Sequence, residues 1–141
     1  AANSLLTNCL ERLVGNYAYV VMDNEAGMEH ISRLTTNNVD ILLIVTDTSR
    51  RGLQAGLRIH KLARELNIGV KKSYLIINRA KSAPAADVLD LIGHDGLQLA
   101  GTVPDDETVY TFDLKGQPTI EIDPDNAAVK AAFAIFDKIM T

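Results

Sequence analysis

The chain has a single cysteine, Cys9, among 141 residues. An internal disulfide is therefore excluded, and such cysteine usage fits a reducing cytoplasm. No apolar run reaches the roughly 18 residues of a membrane span, and no signal-peptide pattern opens the chain. Positive charge is also scarce: 14 Lys and Arg stand against 18 Asp and Glu, for a net charge of −4. That balance argues against a nucleic-acid-binding surface as the main function. The chain opens Ala-Ala-Asn-Ser with no initiator methionine, a start that a fragment, a processed protein or a chosen boundary would share.

Several catalytic signatures are missing too. None of the 9 glycines begins or completes the phosphate-cradling Gly-x-x-x-x-Gly-Lys-[Ser/Thr] loop. The Gly-x-Gly-x-x-Gly dinucleotide fingerprint is absent, as are a Ser–His–Asp order, Cys-x-x-Cys and His-Glu-x-x-His. Without a phosphate cradle, residues 1–141 alone are not expected to be a competent NTPase. Either the protein is not an NTPase, or this sequence lacks its amino-terminal half.

What is present reads as one globular α/β domain over 1–141, with 47% hydrophobic and 23% charged residues and no repeat or interdomain linker. Helical spacing of Leu6, Cys9, Leu10 and Leu13 predicts a helix over 3–14, with Cys9 as a small core residue. Gly15-Asn16 caps it, and Tyr17–Met22 reads as a strand. A weaker helix is predicted over 28–37. The continuous apolar run ending at Thr46 reads as a strand buried on both faces. A long helix over 50–66 follows, capped by Thr48 or Ser49, with Leu53, Leu57, His60 and Ala63 along one side. A third strand spans 72–77, and a helix spans about 85–92. A fourth strand runs over 97–103, and Asp105 or Asp106 caps a helix to about Leu114. Residues 118–122 read as extended, and the last helix spans 126–140. His60 and His94 have no second ligand at metal-binding spacing and read as helix and loop residues.

This alternation predicts a parallel sheet with right-handed crossovers and flanking helices. Its four strands would end in Asp23, Asp47, Asn78 and Asp105. Strand carboxyl ends of an open parallel sheet share one edge, where ligands bind. Asp23 and Asn24 admit two readings. They are turn or cap residues, or Asp23 holds a hydrated magnesium ion while Gly27 lets backbone N–H approach a phosphate.

A resemblance carries the second reading further. Val-Val-Met-Asp-Asn-Glu-Ala-Gly-Met-Glu-His-Ile-Ser-Arg at 20–33 resembles the switch segment of the MinD/ParA/nitrogenase-iron-protein class of P-loop ATPases. Within that class it is most similar to the CooC branch, the nickel-maturation ATPases of carbon monoxide dehydrogenase. Ile-Val-Thr-Asp-Thr-Ser-Arg-Arg-Gly-Leu at 44–53, Ile-Ile-Asn-Arg at 76–79, Gly-Thr-Val-Pro-Asp-Asp-Glu at 101–107 and Gly-Gln-Pro at 116–118 fit the same branch. The resemblance covers nearly the whole chain. It implies the carboxyl-terminal part of such an ATPase domain, lacking the P-loop portion and active only with that upstream half.

The resemblance implies ATP or ADP as ligand with Mg2+. Asp23 would hold magnesium through water, and Gly27 would sense the γ-phosphate. Asn78, with Arg79 beside it, would bind adenine, and Val103, Pro104 and Asp105 would pack around the base. It also implies a cytoplasmic homodimer with nucleotide between subunits, and carbon monoxide dehydrogenase as a client. The branch's Cys-x-Cys site for nickel or zinc is not present here, so Cys9 is not assigned to metal. Asp47 stands where the branch often has Glu-Pro. Two alternatives remain. One is a MinD/ParA-like positioning or partitioning ATPase, although the last helix has only Lys130 and Lys138 for a membrane or nucleic acid. The other is a non-catalytic dimerising module.

Overall fold

The apolar run after Asp40 forms the first strand of a parallel sheet. The computed structural model describes residues 12–24, 39–67, 69–94 and 96–140. Its sheet has three strands in the order β1-β2-β3, namely Ile41–Thr46, Lys72–Ala80 and Gln98–Pro104. β2 pairs in parallel with both neighbours, so each connection must cross over. Helix α1 (Arg50–Glu65) makes the first crossover and α2 (Ala86–His94) the second. Helix α3 (Glu107–Leu114), a 3-10 turn at Thr119–Glu121 and helix α4 (Ala127–Ile139) follow β3.

Alternation along the strands sends side chains to two cores. On one face Ile44, Leu75 and Ile77 pack with Leu53 of α1, Ile92 of α2 and Leu97. On the other, Ile76 and Ala100 pack with Ile135 and Ile139 of α4. Fully burying a side chain such as Leu75 or Ile77 contributes about 1.5–3 kcal/mol, and both are essentially inaccessible. Helices on both faces explain why the strand sequences are continuously apolar rather than alternating. Gly56 sets the distance between α1 and β1. A Cβ there would sit 2.8 Å from Thr46 Cγ2 and 3.3 Å from Ile44 Cγ2.

Three helix starts are held by side chains. Ser49 caps α1, Asp106 caps α3 and Asn126 caps α4, each accepting from backbone N–H groups of the first turn. At the opposite edge of the sheet, the Lys71 ammonium lies 2.6 Å from Asp40, joining the starts of β1 and β2.

Three expectations change. Tyr17–Met22 is not a strand of this sheet. Its residues favour strands, but a strand also needs a ladder neighbour, and Tyr17, Tyr19 and Val21 are exposed. Residues 118–122 are not simply extended. Pro118 presets a tight turn, and its carbonyl accepts from Glu121 N at 3.0 Å, while buried Ile122 anchors the end. The strand expected over 72–77 continues to Ala80, for a reason that belongs to the site. Of the helix expected over 3–14, residues 12–14 are described and helical, and Asn16 Nδ2 donates to Arg12 O at 2.8 Å. Cys9, Gly27 and the helix expected over 28–37 lie outside the described residues.

Candidate functional site

The carboxyl ends of β1, β2 and β3 lie at one edge, and each leads straight into polar residues. After β1 the Asp47 carboxylate folds back over the start of α1. Its Oδ1 accepts from Ser49 N at 2.9 Å and from Ser49 Oγ at 2.5 Å. Ser49 Oγ in turn accepts from Gly52 N at 3.0 Å. Glycine at 52 leaves room for this arrangement, since a Cβ there would run into Asp47 Oδ1 and displace the carboxylate. The Ser49 hydroxyl and N–H hold the Asp47 carboxyl below its ordinary range, and the Arg79 guanidinium adds to this.

β2 ends in a bulge. Ile77 pairs with Thr102 and Ala80 with Pro104, so two residues, Asn78 and Arg79, stand against the single Val103. The packing shows the same extra residue. Ile77 and Ala80 both face the α1/α2 core, although an unbroken strand would put residues three apart on opposite faces. Arg79 takes up the extra length in the left-handed region, at φ 55°. That conformation costs a non-glycine residue roughly 1–2 kcal/mol. Both side chains are exposed at the edge. Asn78 Oδ1 accepts from Arg79 N at 2.9 Å. A backbone N–H needs an acceptor, so the amide's NH2 is its outward end.

β3 carries a compensating irregularity at Ala100, between the Leu75–Leu99 and Ile76–Gly101 pairs. The Ala100 carbonyl accepts from Lys138 Nζ of α4 at 3.5 Å. Beyond β3, Asp105 N donates to Ala80 O at 3.0 Å, and the Arg79 Nε lies 3.8 Å from Asp105 Oδ1. Asp106 Oδ1 accepts from Thr108 N and Val109 N, and Oδ2 accepts from Asn126 Nδ2 at 3.0 Å. The N–H of Val109, with help from Asn126 and Thr108, holds the Asp106 carboxyl below its ordinary range.

The structure therefore brings Asp47, Asn78, Arg79 and Asp105 to one edge, with Val103 and Pro104 at the end of β3. Asp23 is exposed on segment 17–24, which forms no ladder with β1, so its expected place at a strand end is not reproduced. Gly27 lies outside the described residues. Ser49 caps α1 as one of the two residues expected there, but sequence reasoning missed its hold on Asp47, the bulge, and the Arg79–Asp105 pair. Two successive polar residues after Leu-Ile-Ile were the only signal of the bulge. Among the described residues no group of three His, Cys, Asp or Glu could hold a metal ion, and no helix is long and apolar enough to cross a membrane.

The fold is that of the MinD/ParA P-loop ATPases. The chain matches the MinD cell division protein of Aquifex aeolicus with a TM-score of 0.78 and 21% identity, over 98% of this chain and 60% of that one. It matches a ParA family ATPase of Chlorobium tepidum with a TM-score of 0.76 and 22% identity, over 97% of this chain and 56% of that one. Among curated proteins, it is 36% identical over 140 residues to an ATP-binding protein of Methanocaldococcus jannaschii, covering 99% of this chain and 55% of that protein. It is 35% identical over 106 residues to the carbon monoxide dehydrogenase accessory protein CooC of Rhodospirillum rubrum, covering 74% and 39%. Identity to the septum site-determining protein MinD of Bacillus subtilis is 27% over 128 residues, covering 87% and 47%. No family model matches. The chain thus spans about half the length of the curated relatives it matches.

Proposed function

We propose that this chain supplies the base-binding side of the nucleotide site in a MinD/ParA-class ATPase, and that the whole protein is an ATP-dependent metallocentre maturation factor inserting nickel into carbon monoxide dehydrogenase. The observation that carries the nucleotide reading is the convergence of Asp47, Asn78, Arg79 and Asp105 at the carboxyl edge of the sheet. Asn78 turns its NH2 outward, where a purine ring nitrogen could accept from it, and the amide oxygen keeps a second lone pair for an exocyclic amine. Val103, Pro104 and Asp105 follow on the neighbouring strand and would flank the base. Nickel is cargo in this reading, and this chain is not assigned its ligands.

Asp23 is an exposed carboxylate, a hard oxygen donor of the kind that holds Mg2+ through water while phosphates complete the shell. Magnesium, when bound there, would neutralise charge on the phosphates. Gly27 would sense the γ-phosphate through its backbone. The phosphate cradle would come from sequence upstream, so residues 1–141 alone would bind ATP weakly and not hydrolyse it. The intact protein would be a cytoplasmic homodimer. The similarity to CooC supports the client assignment. The similarity to MinD, which covers more of the chain, supports a positioning ATPase as the second reading.

The test uses the protein with its upstream sequence restored. Asn78→Ala should weaken ADP and ATP binding by about 1–3 kcal/mol, as expected when a buried polar contact is lost. Unchanged affinity by calorimetry removes Asn78 from the site. Nickel bound by a cysteine pair upstream supports the maturation reading. Absence of nickel binding, together with nucleotide-dependent membrane association, supports the positioning one.

A further inference from the structure

The geometry points to Arg79 as a positioning residue: from a left-handed bulge in β2, its guanidinium holds Asp105 and with it the segment after β3, so that this segment and Asn78 face one ligand together. The inference rests on the nucleotide reading above and goes beyond it by giving Arg79 a part that needs no contact with the base.

Two observations carry it. First, the backbone at 79 favours glycine or asparagine. An arginine held there keeps an unfavourable conformation, and the long side chain is what it gains. Second, that side chain reaches across to the neighbouring strand's exit. Arg79 Nε lies 3.8 Å from Asp105 Oδ1, while the Asp105 amide is already tied to Ala80 O at 3.0 Å. The β2 and β3 exits are thus joined once by backbone and once by charge. The same positive charge also helps lower the Asp47 carboxyl after β1, behind the two hydrogen bonds from Ser49.

A stability role does not account for the pair. The Arg79 side chain is 75% exposed and that of Asp105 41%, and exposed ion pairs contribute little to folding. Small energies of this size still orient a loop. Nor does the bulge need the guanidinium, because Asn78 Oδ1 already closes it on the Arg79 N–H.

The experiment compares wild type, Arg79→Asn and Arg79→Lys in the protein with its upstream sequence, using MgADP as the probe. Asparagine tolerates the left-handed backbone and removes the guanidinium; lysine keeps the charge. Arg79→Asn should weaken ADP affinity roughly two- to five-fold at low salt, the range an exposed ion pair can supply. It should leave the unfolding midpoint no lower and speed hydrogen exchange at the Asp105 amide. Lysine should restore part of the affinity, and about 0.5 M salt should erase the difference between variants. Wild-type affinity in Arg79→Asn, or a loss that lysine and salt do not alter, overturns the proposal while leaving the nucleotide reading intact. If wild type binds no ADP, the nucleotide reading falls. The positioning role falls with it, whatever the exchange at Asp105.

Discussion

A single methyl group tests how closely α1 lies on the sheet. Gly56→Ala places a Cβ 2.8 Å from Thr46 Cγ2, 3.3 Å from Ile44 Cγ2 and 3.4 Å from Leu75 Cδ1. Carbon atoms in contact settle near 3.5–4.0 Å, so the first distance is short by roughly 0.7 Å. Leu75 can yield by a rotamer change. Thr46 and Ile44 cannot yield easily, because their methyls sit directly on branched Cβ atoms of a paired strand. Rotating Thr46 would either put its hydroxyl in the methyl's place or move both branches out of the rotamer packed here, at a cost in a paired strand. The helix must therefore lift, which loosens Leu53 against Ile44 and Leu75. Overpacking of this kind costs about 1–3 kcal/mol, while replacing an interior helical glycine by alanine returns about 1 kcal/mol. The balance is a destabilisation of about 1 kcal/mol. Gly93→Ala in α2 is the control, since nothing lies within 4 Å of its Cβ. It should stabilise by up to about 1 kcal/mol. Urea unfolding of both variants beside wild type gives the two signs. A Gly56→Ala protein as stable as Gly93→Ala would refute the close approach of α1 to β1.

Two further outcomes follow from the same geometry, and a third from the proposed nucleotide site. Asn126→Ala removes the acceptor for Ala128 N and Val129 N and the donor to Asp106, and should cost about 1–2 kcal/mol by denaturant unfolding. Asp106 has a carboxyl held below its ordinary value, so its contribution is present above about pH 4 and is lost as pH falls through the folded pKa. Asp106→Asn should accordingly flatten the acid limb of a stability-versus-pH curve, and an unchanged acid limb would contradict the hydrogen bonds assigned to it. Asp23→Ala in the protein with its upstream sequence should abolish magnesium-dependent phosphate release, and full activity would remove Asp23 from the site.

The fold was legible where one physical signal dominated. Ile-Leu-Leu-Ile-Val before Thr46 reads as a buried strand, and it is β1, with Ile44 buried, Ile41 to Leu43 half-buried and Val45 exposed. Leu53, His60 and Ala63 share the buried side of α1 as their spacing required. Gly69 and Gly96, both at positive φ, mark the turns before β2 and β3. Tyr17–Met22 did not follow its local preference. Its residues are good strand formers, but pairing is a property of two segments, and a single run of sequence cannot say whether the second is there.

The site was legible in its members but not in its geometry. Three of the four polar strand ends, Asp47, Asn78 and Asp105, came together because parallel strands put their carboxyl ends on one edge. Nothing in a pattern of period two announces a bulge, since the extra residue only shifts the phase, and Ala80 then reads as the start of a loop. The shift matters chemically. Without it, Asn78 and Arg79 would point to opposite faces of the sheet, one toward the α4 side and one toward the α1 and α2 side. With it, the chain turns at Arg79, both polar side chains stand clear of the two cores, and Ala80 returns to packing against the buried residues. A polar pair that would have been costly to bury instead stands exposed among three strand ends. The glycine at 52 serves the same arrangement from the other side, by leaving room for Asp47 to fold over the start of α1 and accept from Ser49.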